Sequence, residues 1–275
     1  MVFAGPEVVP GPARAPLPYG LFSVLVPRPE GEGRWQNGVE WEPLTCAPVS
    51  GIGPSCEPGE SIGLPKSFAD GGGVGEASPF AVYGSYVCSP VGRAIEEAQE
   101  RATLHLVNRE EAGVENAIWT GALGNTPNLR GATVLGGGAV DVVEGVGLLE
   151  DFLATEYGSL GVLHMTRGGA TSAVNGIVAM REGARLVSAL GTPIVAGAGY
   201  DGTSPEGAAA TSGTTWLYAT PALFGYRSEI FPSVTRGGDL LDRGENNLYA
   251  IAERNYVLGW DDCGIAAVQI NLGCC

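Results

Sequence analysis

The sequence predicts an α+β fold in which one long helix is combined with many short strands. Apolar residues recur at helical spacing from Pro90 to Ile118, which predicts a rod of about 40 Å at about 1.5 Å per residue. The remainder is rich in turn formers, with 44 glycines and 19 prolines among 275 residues. Short apolar segments lie between these turns, as strands of a folded domain do.

Residues 1–34 predict an extended arm or a disordered tail. Proline restricts this segment and excludes a helix, although residues 21–26 favour one short strand. The segment has too few apolar residues for a core of its own, so an ordered arm must lie on another surface. Its seven prolines are Pro6, Pro10, Pro12, Pro16, Pro18, Pro27 and Pro29.

Residues 35–80 predict a protruding hairpin. One strand is expected over 38–46 and another over 80–88, with a Gly/Pro/Ser-rich stretch at 48–75 between them. A structureless connection of that length is unusual inside a compact domain and often marks a functional loop.

The long helix is expected to begin at Ser89 as N-cap, with Pro90 at the first helical position. Its charged residues predict a solvated face opposite the apolar one. The apolar set is Val91, Ala94, Ile95, Ala98, Ala102 and Leu106, and the acidic set is Glu96, Glu97, Glu100, Glu110 and Glu111.

Beyond a glycine break at 136–138, a second amphipathic helix is predicted over 140–157, ended by Gly158. A strand over 161–166 and a small helix over 170–179 follow. The later strand predictions are 186–187, 194–196, 216–219, 224–231, 247–256 and 265–272.

The charge and the motifs exclude several functions. A net charge of −15 repels phosphate and excludes tight general binding of nucleic acid. Gly197 to Gly202 match the GxGxxG pattern after a predicted strand, but no helix signal follows them, which favours a glycine-rich surface loop over a dinucleotide site. His105 and His164 are interpreted as packing residues, because no nucleophile elbow accompanies them.

The six cysteines lack the paired spacing of a zinc site, and the sequence predicts no metal and no cofactor. Two states remain open for the thiols. Cys46 and Cys56 can close a short disulfide loop, or all six stay reduced in a reducing cytosol.

The order of these elements resembles the major capsid protein of tailed bacteriophages, whose fold encapsulins share. The resemblance covers essentially the whole chain, and it is carried by the segments AIWTG at 117–121, GNTPNLRG at 124–131, GTPIV at 191–195 and the late segment 247–272. It implies an N-terminal arm at 1–34, an extended loop at 35–80, a peripheral domain at 81–135 and 237–275 with a spine helix at 90–118, and an axial domain at 136–236.

The resemblance implies a non-enzymatic shell subunit of the virion, made in the bacterial cytoplasm. Copies would assemble into pentamers and hexamers of an icosahedral head that encloses double-stranded DNA without sequence-specific binding. Partners would be further copies of the chain, with scaffold, portal or decoration proteins as additional candidates and no membrane. The alternatives are an encapsulin-type compartment and, from another class, a nucleotide-binding enzyme that uses the 197–202 loop.

Some capsids of this family link a loop lysine covalently to an asparagine of the peripheral domain, with a glutamate as proton acceptor. The only lysine of this chain, Lys66, falls in the predicted loop. Asn246, Asn247 and Glu253 lie in the predicted returning segment, beside Asn255. The resemblance therefore implies a candidate inter-subunit cross-link at these residues.

Overall fold

The computed structural model describes residues 14–25, 27, 33–43, 46–47, 49, 73–89, 94–232, 241–242, 244 and 246–273. Within them, helices and strands are mixed, and the predicted α+β class is confirmed. The helices are α1 (Ile95–Thr120), α2 (Val142–Phe152) and α3 (Arg167–Asn175), and the strands are β1 (Val39–Trp41), β2 (Gly75–Ala77), β3 (Pro79–Cys88), β4 (Thr133–Val134), β5 (Val162–Thr166), β6 (Ala179–Glu182), β7 (Arg185–Ser188), β8 (Pro193–Gly197), β9 (Thr214–Thr220), β10 (Leu223–Arg227), β11 (Phe231–Pro232), β12 (Leu241–Asp242), β13 (Asn247–Trp260) and β14 (Ala266–Asn271).

The long strand β13 organises a five-stranded antiparallel sheet. β3 pairs with it from Pro79↔Val257 to Cys88↔Leu248, and β10, β11 and β12 pair with its residues 256–260, 252–253 and 247–248. Helix α1 packs on β3 and β13. Gly84 of β3 permits this close approach, because a Cβ there would collide with the backbone of Ala102 and Leu106.

A mixed seven-stranded sheet has the order β4-β14-β9-β5-β8-β7-β6, and α2 and α3 cover one of its faces. Side chains alternate between the two faces, as the pleat requires. On β5, Leu163 and Met165 pack in the cluster beneath α2 and α3, whereas Val162 packs in the cluster around α1.

The two sheets share one core through the C-terminal half of α1. Trp119 is 1% exposed, and its ring lies 4.7 Å from that of Tyr200 and 4.6 Å from that of Tyr218, centroid to centroid. The same apolar cluster contains Ala252 of the five-stranded sheet and Val195 of the seven-stranded sheet. The sheets are therefore joined by packed side chains.

Two local predictions were wrong. Helix α1 begins at Ile95, and Ala94 before it has an extended backbone, so Ser89 does not cap the helix. Because α1 packs back on β3, the chain needs a connection after Cys88 before the helix begins. Residues 21–25 do not form a strand, since a 3₁₀ turn lies at Leu21–Ser23, and Val26 lies outside the described residues. The predicted C-terminus of α2 is confirmed: a π-helical turn follows to Tyr157, and Gly158 ends it with φ 68°.

Sheet membership does not follow the order of the strands along the chain. Strand β10 pairs with β13 in the five-stranded sheet, whereas β14, near the C-terminus, lies in the seven-stranded sheet between β4 and β9. Strands β1 and β2 pair at the base of the predicted hairpin, with Val39 opposite Ala77. Residues 50–72 of that hairpin lie outside the described residues.

Helices long and apolar enough to cross a membrane are absent from the described part of the chain.

Candidate functional site

The N-terminal segment is held on helix α1 by two carboxylates one helical turn apart. Glu115 accepts a hydrogen bond from the backbone N–H of Leu21 at 2.9 Å and, with its other oxygen, from that of Gly199 at 2.8 Å. Glu111 accepts from the N–H of Phe22 at 2.7 Å. Glu115 thus connects α1, the N-terminal segment and the loop after β8.

Burial raises the pKa of both carboxyl groups. Desolvation is the main cause at Glu115, which is 1% exposed, and the hydrogen bonds from Gly199 and Leu21 act in the opposite direction. Desolvation also raises the pKa of Glu111, against the hydrogen bond from Phe22. The solvated face predicted at Glu110 and Glu111 was therefore wrong.

Arg167, the first residue of α3, holds the same segment from the other side. Its Nη1 donates to the carbonyl of Pro18 at 3.1 Å and to that of Ala196 at 3.2 Å. The N–H of Ala196 donates to the carbonyl of Tyr19 at 2.7 Å. Because Leu21 is 0% exposed, residues 18–25 are packed on their own chain rather than left as a free arm.

Glu110 fastens α1 to β13. Arg254 Nη1 lies 2.8 Å and 3.1 Å from its two carboxylate oxygens, and Tyr256 Oη donates to it at 3.1 Å. The side chains of Glu110 and Arg254 are 11% and 12% exposed. A buried pair of this kind orients two elements and is costly to break from one side.

The glycine motif has a packing role. Tyr200 is 6% exposed, and a Cβ on Gly199 would collide with the carbonyl of Ala112 on α1. No helix follows Gly202 within residues 203–232, all of which the structure describes, so the helix N-terminus that a dinucleotide site needs is missing there. The loop packs on α1 through Gly199 and Tyr200, whereas Ala198 and Asp201 are exposed as a surface loop requires.

His164 is a buried packing residue, as predicted. Thr220 Oγ1 donates to the carbonyl of Pro221, so His164 must donate from Nε2 to Thr220 and accept at Nδ1 from Tyr200. Burial lowers the pKa of His164 to about 3, which keeps it neutral. His105 is exposed and contacts the carbonyl of Ser85 at 3.1 Å.

A cleft of about 600 Å³ lies between the N-terminal segment and α1, and the residues that line it include no Ser, Cys, His, Lys or Tyr. The charged groups Glu111, Glu115 and Arg167 in that cleft are already bound to backbone. Clusters of three or more His, Cys, Asp or Glu suited to a metal are also absent from the described ranges.

A disulfide joins Cys46 to Cys263, with the two Cα atoms 5.5 Å apart. The sequence left open a Cys46–Cys56 disulfide or six reduced thiols. Neither expectation is correct, because Cys46 is bonded to Cys263. Cys88 is a free thiol. Cys56, Cys274 and Cys275 lie outside the described residues.

The cross-link residues are only partly described. Lys66 lies outside the described residues. Asn246 is exposed in the turn before β13, Asn247 begins the strand, and Glu253 is exposed further along it. Glu253 lies six positions beyond Asn247 along the strand, about 20 Å at about 3.3 Å per residue. One chain therefore does not bring these side chains together.

Sequence reasoning missed Glu115, Arg167, Arg254 and the Cys46–Cys263 pair. The only local signal was the four-residue spacing of Glu111 and Glu115, which places two carboxylates on one face of a helix. The hydrogen-bond partners of Glu115, Leu21 and Gly199, are 94 and 84 residues away in the chain. Phe22, the partner of Glu111, is 89 residues away.

No protein-family model and no curated protein matches this chain. Solved structures do. A structure of Microbacterium phage Oxtober96 matches with a TM-score of 0.55 and 11% identity over 98% of this chain and 96% of the other. One of Mycobacterium phage Adephagia matches with a TM-score of 0.54 and 12% identity over 93% and 91%.

The capsid of an empty GTA particle matches with a TM-score of 0.52 and 12% identity over 98% of this chain and 95% of that one. At such identities the likeness shows the fold and not the activity. The chain has the fold of these phage and GTA capsid structures, and the resemblance to the major capsid protein of tailed bacteriophages is confirmed at the level of the fold.

Proposed function

We propose that this chain is the structural subunit of an icosahedral bacteriophage head. The observation that carries the proposal is the end-to-end match to the GTA capsid chain, which spans nearly all of both proteins. A shared architecture over the whole length leaves little chain for an added catalytic domain.

The geometry supports the same function. The charged side chains around the N-terminal segment hold backbone groups instead of forming a nucleophile and a base. In this proposal α1 is the spine helix, the β13 sheet forms the peripheral domain, and the seven-stranded sheet with α2 and α3 forms the axial domain. Residues 35–80 are the extended loop, and residues 1–34 are the arm, of which residues 18–25 pack on their own chain.

The charge fits a container for DNA. A subunit with a net charge of −15 repels phosphate, so a shell of such subunits encloses a genome without gripping it tightly. Copies of one chain in rings of five and six would form the closed shell.

Electron microscopy of the purified chain after size-exclusion chromatography tests this function. Closed shells, or rings of five or six subunits, are the expected result. A chain that stays monomeric at every concentration and in crowding agents, and also when expressed beside its neighbouring genes, would contradict the proposal.

The content of the particles separates the head from an encapsulin-type compartment. Particles isolated from a natural source should contain double-stranded DNA, which nuclease digestion after disruption identifies. Particles that enclose protein and no DNA would assign the compartment function instead.

A further inference from the structure

The disulfide connects two parts of the molecule that the sheets do not. Cys46 lies five residues beyond the end of β1, in the segment 42–74 that leaves the β1–β2 base and returns to it. Cys263 lies in the turn between β13 and β14. One covalent bond therefore fastens the departing segment to the point where the chain passes from one sheet to the other.

The bond is placed where small thiols can reach it. Cys46 and Cys263 are both partly exposed, and neither lies within a strand or helix. A disulfide with solvent access exchanges with thiols far faster than one enclosed in a core. Cys88, in contrast, lies in β3 and is free.

The surroundings of a virion subunit change during its life. Bacterial cytosol keeps thiols reduced, whereas the medium outside the cell is oxidising. An accessible cysteine pair 5.5 Å apart at Cα is at bonding distance without movement of the backbone.

We propose that Cys46 and Cys263 form a redox latch, which is open as dithiol in the cytosol and closes by exchange with small disulfides outside it. In the closing step two protein thiols and one oxidised glutathione give one protein disulfide and two reduced glutathiones. Two protons and two electrons pass to the glutathione sulfurs. The latch then fixes Cys46, five residues beyond β1, to the 261–265 turn.

The timing of closure, after release from the cell, rests on the proposed function. The latch itself does not, because it is a property of the single chain. Shell assembly and latch closure are measured separately, so the failure of one is distinguishable from the failure of the other.

Cleavage at the only lysine provides a direct test. Endoproteinase Lys-C cuts the unassembled protein after Lys66, which gives fragments 1–66 and 67–275. Cys46 lies in the first fragment and Cys263 in the second. After treatment with oxidised glutathione, the fragments should migrate together on a non-reducing denaturing gel and separate when reductant is added.

The reversal on native protein is the second measurement. In one sample, millimolar reduced glutathione is added before cleavage and the thiols are then alkylated, which should abolish the linkage. In a second sample the thiols are reduced but not alkylated, and oxidised glutathione added afterwards should restore the linkage. Fragments that separate without reductant would overturn the proposal. Fragments that stay linked after native reduction would overturn it as well, because the bond would then be permanent.

Variants identify the cysteines. A background with Cys56, Cys274 and Cys275 replaced by serine leaves three cysteines, and in it C46S and C263S should each lose the linkage, whereas C88S should keep it. Reduction should lower the melting temperature by about 5–15 °C in the C88S background and leave C46S unchanged. Linkage that survives C263S, or that is lost in C88S, would refute the assigned pair, and the wild-type reversal remains decisive if a variant misfolds.

Discussion

At the scale of single residues, Glu111 and Glu115 lie one helical turn apart on α1 and differ in how many of their carboxylate oxygens accept hydrogen bonds. Glu115 uses both oxygens as acceptors, for Leu21 and Gly199, whereas Glu111 uses one, for Phe22. An amide keeps one acceptor and turns the other position into a donor. The two positions therefore respond differently to the same substitution.

E115Q should destabilise the protein by about 1–3 kcal/mol, because the new amide N–H₂ faces a backbone N–H that is buried. E111Q is the matched control and should cost clearly less, since the amide oxygen still accepts from Phe22. Urea denaturation measures both. Equal losses in the two variants would contradict the assigned geometry.

The stability difference between wild type and E111Q should grow as the pH falls from 7 towards 5. Burial raises the pKa of Glu111 in the folded state above its unfolded value of 4.5. A raised carboxyl pKa adds stability that is fully present below the unfolded pKa and is lost as the pH rises through the folded pKa. The amide variant lacks this contribution, and subtraction removes the titrating groups that do not interact with Glu111. A difference that shrinks on acidification would indicate a lowered pKa instead.

Residue-scale contacts were the part that the sequence predicted least well. The packing role of His164 followed from the absence of a nucleophile motif, and the buried hydrogen bonds confirm it. Glu115, Arg254 and Cys263 depend on partners that tertiary folding brings together. The spacing of residues along the chain carries no signal for such partners.

At the scale of elements, glycine decides where helix and strand can touch. G84A should cost about 1–3 kcal/mol, because the added methyl meets the backbone of α1 at Ala102 and Leu106, which cannot rotate away. Thermal unfolding of G84A, of the wild type and of a control variant measures this loss of stability.

The control for that substitution is G147A. Gly147 lies within α2, and an added Cβ there meets nothing within 4 Å. Alanine should therefore raise stability by about 0.5–1 kcal/mol through its better helix propensity. A G84A protein as stable as wild type would show that α1 does not pack on β3 as described.

Element positions were largely predictable, and the exceptions have physical causes. Apolar periodicity placed α2 and most strands within a few residues, because each buries one face in a shared core. The Ser89–Pro90 capping signal failed at α1, since the chain must first turn back from β3. Sheet membership could not be predicted, because the apolar pattern of a strand does not say which strands it pairs with, and β10 and β14 pair in different sheets.

At the scale of the whole molecule, the remaining prediction concerns covalent links between copies. If Lys66 Nζ attacks the side-chain amide of Asn246 or Asn247 on another subunit, an isopeptide bond forms and ammonia leaves, with Glu253 of a further subunit accepting the proton. Since one chain holds Asn247 and Glu253 apart, the reaction is expected only in assembled particles.

Denaturing gels of assembled particles, run with reductant, should then show ladders above the 28.2 kDa chain. K66R should remove the ladder and leave assembly intact, whereas R34K leaves Lys66 in place and should keep it. A single band from wild-type particles would end this hypothesis.

The burial of Trp119 and its neighbours between the two sheets has a mechanical consequence. A densely packed core resists compression and opposes rotation of one sheet relative to the other. If the proposed shell forms, each subunit would therefore transmit pressure from inside the shell with little deformation of its own. Such a shell would deform mainly at the interfaces between subunits, and the strength of those interfaces would set the pressure at which it bursts.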